Sequence, residues 1–119
     1  MQHLVYLNTS NWFNLNIRQQ LSDATTVPLD WSDITKATIR LDSGKLLSVD
    51  RDAFGAAINW WDAELPPGDV RLSLGEWAAA NNVAPGHYSA ELRTFAPDTR
   101  GEGWVRLGEQ DWTLIFAQP

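Results

Sequence analysis

The sequence predicts an all-β fold, a sandwich of two antiparallel sheets. Three observations carry that expectation. Apolar residues recur with a period of two rather than 3.6 through most of the chain. Clusters of Gly, Pro, Asp and Ser punctuate those runs at short intervals, the spacing of a two-sheet domain. Only Glu76 to Asn81, around Trp77-Ala78-Ala79-Ala80, reads as helix, and about two turns would be marginal without tertiary packing. The 119 residues are expected to form a single domain over 1–119. At this size roughly two thirds of the chain's surface is buried on folding, enough for a self-sufficient core.

Taken in order, residues 1–10 read as an N-terminal arm or edge strand, with Leu4 and Tyr6 set against Val5 and Leu7. Such a strand can join its own sheet or a neighbour's edge. Asn8 to Asn11 reads as a turn into the next strand, which favours its own sheet. Phe13, Leu15 and Ile17 then alternate with Asn14, Asn16 and Arg18. Ala37, Ile39 and Leu41 alternate with Thr38, Arg40 and Asp42, and Asp42-Ser43-Gly44 turns the chain, so residues 36–50 form a hairpin. If residues 56–63 are a strand, the adjacent Trp60 and Trp61 face opposite ways. Pro66-Pro67-Gly68-Asp69 precedes the Val70, Leu72, Leu74 strand, and Pro85-Gly86 precedes the strand of Tyr88, Ala90 and Leu92. Residues 97–103 read as the loop before the last strand, where Trp112, Leu114 and Phe116 share one face.

Composition narrows the function classes. Hydrophobic residues make up 44% and charged residues 20%, which is globular rather than disordered. Nine basic against fifteen acidic side chains give a net charge of -6, a poor match to nucleic acid, whose binding relies on clustered Lys and Arg. Without Cys there is no disulfide framework, thiolate metal site or Cys nucleophile. No apolar run approaches a membrane span, and Met1-Gln2-His3 lacks the basic flank of a signal peptide. Asn8-Thr9-Ser10 matches a glycosylation acceptor, which carries no meaning without a secretory signal. His3 and His87 sit in no catalytic motif and read as solvated surface histidines. Asp98-Thr99 is followed by Arg100, not the Gly of an aspartic-protease triplet, and Asp50-Arg51-Asp52 lacks the Gly and distal Glu of a calcium loop. No Gly-rich phosphate cradle precedes a helix. The expectation is no catalytic residue, no metal and no cofactor; a small hydrolase is the weakest of the functional readings.

Gly86-His87-Tyr88-Ser89-Ala90 resembles the corner of an immunoglobulin-like sandwich. There a Tyr near the start of a late strand folds its hydroxyl back onto upstream backbone. Gly86 permits the tight approach, having no Cβ, and Ala90 stands where antibody domains carry a Cys. The resemblance implies a structural corner at Gly86 and Tyr88 in a sandwich without its disulfide; the alternative is an ordinary half-buried Tyr.

Seven Trp are more than one small core needs. Trp12 shares the polar face of its strand with Asn14 and Asn16, whereas Trp112 lies on an apolar face. Trp12, Trp31, Trp61 and Trp104 are the candidates for an interface, because Trp is enriched among binding hot spots. An outward row including Trp12 and Trp61 would equally suit stacking on sugar rings, as in a carbohydrate-binding module. Alternatively, loops or domain edges cover these indoles.

Trp31-Ser32-Asp33-Ile34-Thr35-Lys36-Ala37-Thr38-Ile39-Arg40-Leu41 resembles the opening strand of small tailed-bacteriophage virion proteins, in particular the N-terminal sandwich domains of upper-baseplate proteins. Their Gly-x-Tyr-x-Ala-Glu strand is matched by Gly86 to Glu91, and their closing turn and strand by Gly101–Gly103 and Trp112–Phe116. The likeness spans residues 31–117. It implies a non-catalytic virion protein, assembled in the host cytoplasm, that binds other virion proteins and is a homo-oligomer or present in several copies. A chain ending at Pro119, without a receptor-binding or trimerisation region, is expected to be an accessory or adaptor subunit of tail, baseplate or head surface. Zero Cys suits a reducing cytoplasm, and seven Arg against two Lys suit bidentate contacts at an interface rim.

Overall fold

The computed structural model describes residues 2–20, 25–98, 101–106 and 112–119. In chain order its elements are β1 (Gln2–Tyr6), β2 (Phe13–Asn16), β3 (Arg18–Gln20), β4 (Thr26–Pro28), β5 (Lys36–Leu41), β6 (Leu46–Asp50), β7 (Ile58–Asn59), β8 (Asp69–Leu72), α1 (Gly75–Ala80), β9 (Gly86–Asp98), β10 (Gly101–Arg106) and β11 (Trp112–Ala117). The fold is all-β with two facing sheets. The larger has the order β1-β11-β9-β5-β6, with β10 also on β9; the smaller has the order β2-β8-β7; β3 and β4 form a separate ribbon. Among the described residues every pairing is antiparallel except β1 with β11, which is parallel. No helix among the described residues is long and apolar enough to cross a membrane.

Period-two alternation explains the sheets. On β5, Ala37, Ile39 and Leu41 are essentially inaccessible and point to the interior. Leu114 and Phe116 of β11 and Val70 and Leu72 of β8 meet them there. The hairpin over 36–50 forms as the turn chemistry predicts, with Gly44 at φ 98° between β5 and β6. Thr38 departs from the pattern: on the outer face of a central strand, between its register partners Arg93 and Ser48, it is buried. The N-terminal segment joins its own sheet. Leu4 lies opposite Ile115 and Val5 opposite Phe116, and the Leu7 N–H donates to the Ala117 carbonyl at 2.9 Å.

Three expectations need correction. The alternating run from Phe13 does not stay in one sheet, because the chain changes partners at Ile17, whose N–H donates to Gly68 while its carbonyl accepts from Leu29. Residues 56–63 yield only the two-residue β7, because the Asn59 side-chain oxygen accepts the N–H groups of Trp61 and Asp62 and turns the chain away. Residues 97–103 are not a long loop: β9 runs to Asp98, which pairs with Gly101, and the ladder continues to Arg93 opposite Arg106.

The one helix among the described residues sits where expected, and its end is well specified. Asn82 takes a left-handed conformation (φ 59°), its N–H donates to Ala79, and the Val83 N–H donates back to Ala78 at 2.9 Å. This is a Schellman termination, with buried Val83 supplying its apolar contact. Beyond it, the Tyr88 hydroxyl donates to the Ala84 carbonyl at 2.7 Å, while its ring packs edge-on against Phe116 at 5.7 Å. A Cβ at Gly86 would meet the Tyr88 ring at 3.8 Å, an ordinary contact, so the φ of 154° rather than a tight approach is what favours glycine there. Tyr88→Phe removes the hydrogen bond and keeps the ring, so a loss of about 1 kcal/mol in urea unfolding is expected. An unchanged midpoint would mean that the hydroxyl contributes nothing to the corner.

Candidate functional site

The sequence candidates separate once the chain is folded. Trp12, just ahead of β2, is 50% exposed and open to a partner. Trp31 is not: it is 6% exposed, its indole N–H donates to the Gly68 carbonyl at 3.1 Å, and its ring lies 6.0 Å from that of Trp60. The expectation of Trp31 as an interface anchor is therefore corrected, because a large ring with its one polar atom satisfied is held by the core. Trp60 is 5% exposed and donates to the Ile34 carbonyl at 3.0 Å. Trp61 does not point away from it. Since the strand stops at Asn59, Trp61 packs edge-on against Trp60 at 4.9 Å and is half-buried. The backbone of Trp104 pairs with Phe95, but its side chain and that of Trp112 lie outside the described residues.

Beside these rings a groove of about 430 Å³ opens between the Pro28–Trp31 segment and the Pro66–Asp69 turn. Its rim carries Asp30, Asp62 and Asp69, each already engaged. Asp62 pairs with Arg71 at 3.4 Å, and Asp69 accepts from Asn16 at 2.8 Å and Asn14 at 3.3 Å. Asp30 accepts from the Ser32 side chain and backbone, which hold its carboxyl below the ordinary Asp range. The two indoles form the groove's floor but show it little surface, so this feature is chiefly how the small sheet closes onto the β4–β5 connection.

The most exposed aromatic is one that sequence reasoning passed over. Phe54 stands wholly in solvent on the loop after β6. That loop is tied down at its base. The Arg51 N–H donates to Thr35, and its guanidinium reaches the carbonyls of Trp31 and Ser32 at 3.3 Å and of Ile34 at 3.5 Å. Ile34 thus receives both Trp60 and Arg51, which couples the loop to the buried indoles. The turn itself bends through Asp52 at φ 65° and Gly55 at φ 66°. The signal in the sequence was an aromatic between Asp52 and Gly55, two residue types tolerant of left-handed backbone.

Neither a protein-family model nor a curated protein matches this chain.

Of the two histidines, His87 is exposed as expected. His3 is not a freely solvated residue. It stacks on Phe13 with ring centroids 4.6 Å apart, and its Nε2 is buried with no hydrogen-bond partner. Burial, then the positive charge of the N-terminus, lowers its pKa below the usual imidazole range. The ring behaves as an apolar plate joining β1 to β2. Other large apolar groups left in solvent are Leu4 and Tyr6 on β1, Val27 on β4 and Leu46 at the start of β6.

Proposed function

We propose that this chain is a non-enzymatic structural subunit of a tailed-bacteriophage virion, an accessory or adaptor protein of tail, baseplate or head surface. It acts through protein–protein contacts and is present in several copies. Phe54, a wholly exposed ring on a loop braced by Arg51, supports the protein–protein contact, and the likeness of residues 31–41 and 86–91 to upper-baseplate sandwich domains supports the virion assignment. Because Arg51 braces the base of the loop before binding, docking has less backbone to order, and more of the ring's apolar burial goes into affinity. An immunoglobulin-like sandwich belongs to the same proposal. The order β1-β11-β9-β5-β6 against β2-β8-β7, and the Tyr88 hydroxyl folded back on Ala84, support it.

The glycan reading draws on Trp12, which stands open beside the polar residues Asn14 and Asn16. It is the lesser reading, since stacking on successive sugar rings needs a row of open indole faces. Trp31 is interior and Trp61 is turned edge-on to Trp60.

Two measurements test the proposal. Capsid or tail genes are expected on both sides of the gene, and a metabolic operon there would overturn the virion assignment. Co-expressed with those neighbours' products, the chain should co-purify with at least one. Phe54→Ala should then weaken that complex about 30-fold or more, the scale of a hot-spot residue, without moving the melting temperature. Saturable tryptophan fluorescence shifts with soluble glycans, and no protein partner, would select the carbohydrate-binding alternative.

A further inference from the structure

Among the described residues only His3 buries a side-chain polar atom with no hydrogen-bond partner, its Nε2. Alternation along β1 puts it there: His3 and Val5 share the inner face, while Gln2, Leu4 and Tyr6 face out. The ring thereby crosses from the large sheet to the small one. It stacks on Phe13 of β2 with centroids 4.6 Å apart and the planes 17° from parallel. In its own sheet β1 pairs with β11 alone among the described strands, so the stack ties the first strand to the opposite sheet.

This seat suits a neutral ring and not a charged one. Neutral imidazole can carry its proton on Nδ1 and leave Nε2 a bare lone pair, whereas imidazolium carries a proton on both nitrogens. Protonation therefore puts a donor and a positive charge where no acceptor stands. No described group offsets that charge. β2 and β11 contain no titratable residue, and Tyr6 of β1 faces out. On β8, Asp69 and Arg71 are in register with Asn16 and Asn14, on the face away from Phe13 and Leu72. Tyr88 of β9 lies beyond Leu114 on the inner face, but its hydroxyl is given to Ala84. Glu76 of α1 is exposed and follows Gly75, which meets the far end of β1 at Tyr6. The N-terminal charge is positive and repels a second cation.

We infer that His3 is an acid-sensitive latch: neutral, it holds β1 against β2; protonated, it leaves Phe13 and lets β1 peel from β11. Release frees the Leu7 and Asn8 amides from Ala117 and Gly75. Linkage fixes the direction. Burial lowers the imidazole pKa, so the released strand takes up the proton more readily than the docked one. The docked form is fully favoured above the ordinary imidazole pKa of about 6.5 and loses ground as pH falls through the lowered value. Asp and Glu titrate near about pH 4, below this window. The latch goes beyond the virion reading and is tested with no other protein present.

Amide exchange of the full chain, corrected for the intrinsic rate, reads the opening of β1. From about pH 7.5 to about pH 5.5 the protection of Leu7 should fall at least about twofold. At the lower pH Leu7 should exchange at least about tenfold faster than the amides of β5, marking local release rather than global unfolding. His3→Phe keeps a flat apolar ring on Phe13 with no proton to gain, so the same pH step should leave Leu7 unchanged. His87→Gln removes the exposed imidazole and should keep the full response. In the unaltered chain the His3 ring, followed by NMR, should titrate at lower pH in the native state than in urea. That comparison needs no variant, so a His3→Phe chain that misfolds leaves the latch decidable. Unchanged Leu7 protection, equal protection of Leu7 and β5 at the lower pH, or a response that survives His3→Phe would each overturn the latch. So would a native titration midpoint at or above that in urea.

Discussion

Trp31→Ala should destabilise the domain by about 3–5 kcal/mol, the range for removing a buried Trp from a core. The substitution leaves a cavity beside Trp60, because the indole is enclosed by the β4–β5 connection and the Pro66–Asp69 turn. It also deletes the donor to Gly68, although that carbonyl keeps the Ile17 N–H at 2.9 Å. The transfer and cavity contributions therefore dominate over the lost hydrogen bond. In urea the midpoint should fall markedly at an unchanged slope, because the surface exposed on unfolding stays nearly constant. Trp12→Ala is the matched comparison: half-exposed, with no hydrogen bond to lose, it should cost about 1 kcal/mol or less. Were Trp31→Ala to leave stability unchanged and weaken partner binding instead, Trp31 would be a surface anchor after all.

Gly75→Ala is expected to cost about 3 kcal/mol, at the upper end of overpacking effects, from a single methyl group. A Cβ at Gly75 would lie 2.3 Å from the Tyr6 carbonyl oxygen and 2.6 Å from that of Thr9. Both obstacles are backbone, so neither can swing aside as a flexible side chain would. The Gly75 carbonyl also accepts the Asn8 N–H, which clamps the start of α1 onto the end of β1. Relieving the clash means moving α1 or lifting the end of β1 from β11. The melting temperature should therefore fall by about 10 °C or more, and the amides of Leu7 and Asn8 should exchange faster than those of β5. Equal protection of both regions would show that the strain spreads through the domain. Gly68 is a different case, since it adds a left-handed φ of 83° to a close approach to Ile17.

The site illustrates where sequence reasoning reaches and where it stops. Period-two alternation was sufficient to place Trp12 outside, because its strand has one plainly polar face. Trp60 and Trp61 do not obey that alternation. Their opposition required the strand to continue, and the Asn59 side chain ends it by capturing the next two N–H groups. Trp31 lies in a non-repetitive connection, where no period applies, and its burial depends on a turn nearly forty residues further along. The exposure of Phe54 has no periodic signature, and only its place between Asp52 and Gly55 hints at it.

By itself, the sequence determined the all-β class, the hairpin over 36–50, the short helix and the Tyr88 turn. Each of these is written in local terms: alternation, turn residues, or a Gly followed two residues later by a Tyr. Zero Cys and a charge of -6 likewise need no coordinates. Only the tertiary structure decided that β1 runs parallel to β11, and that His3 lies flat on Phe13. Only it decided, too, that Arg51 braces the loop carrying Phe54. Those facts rest on contacts between residues far apart in the chain. Strand partners and buried hydrogen bonds are chosen by how the whole core packs, which no short window of sequence contains.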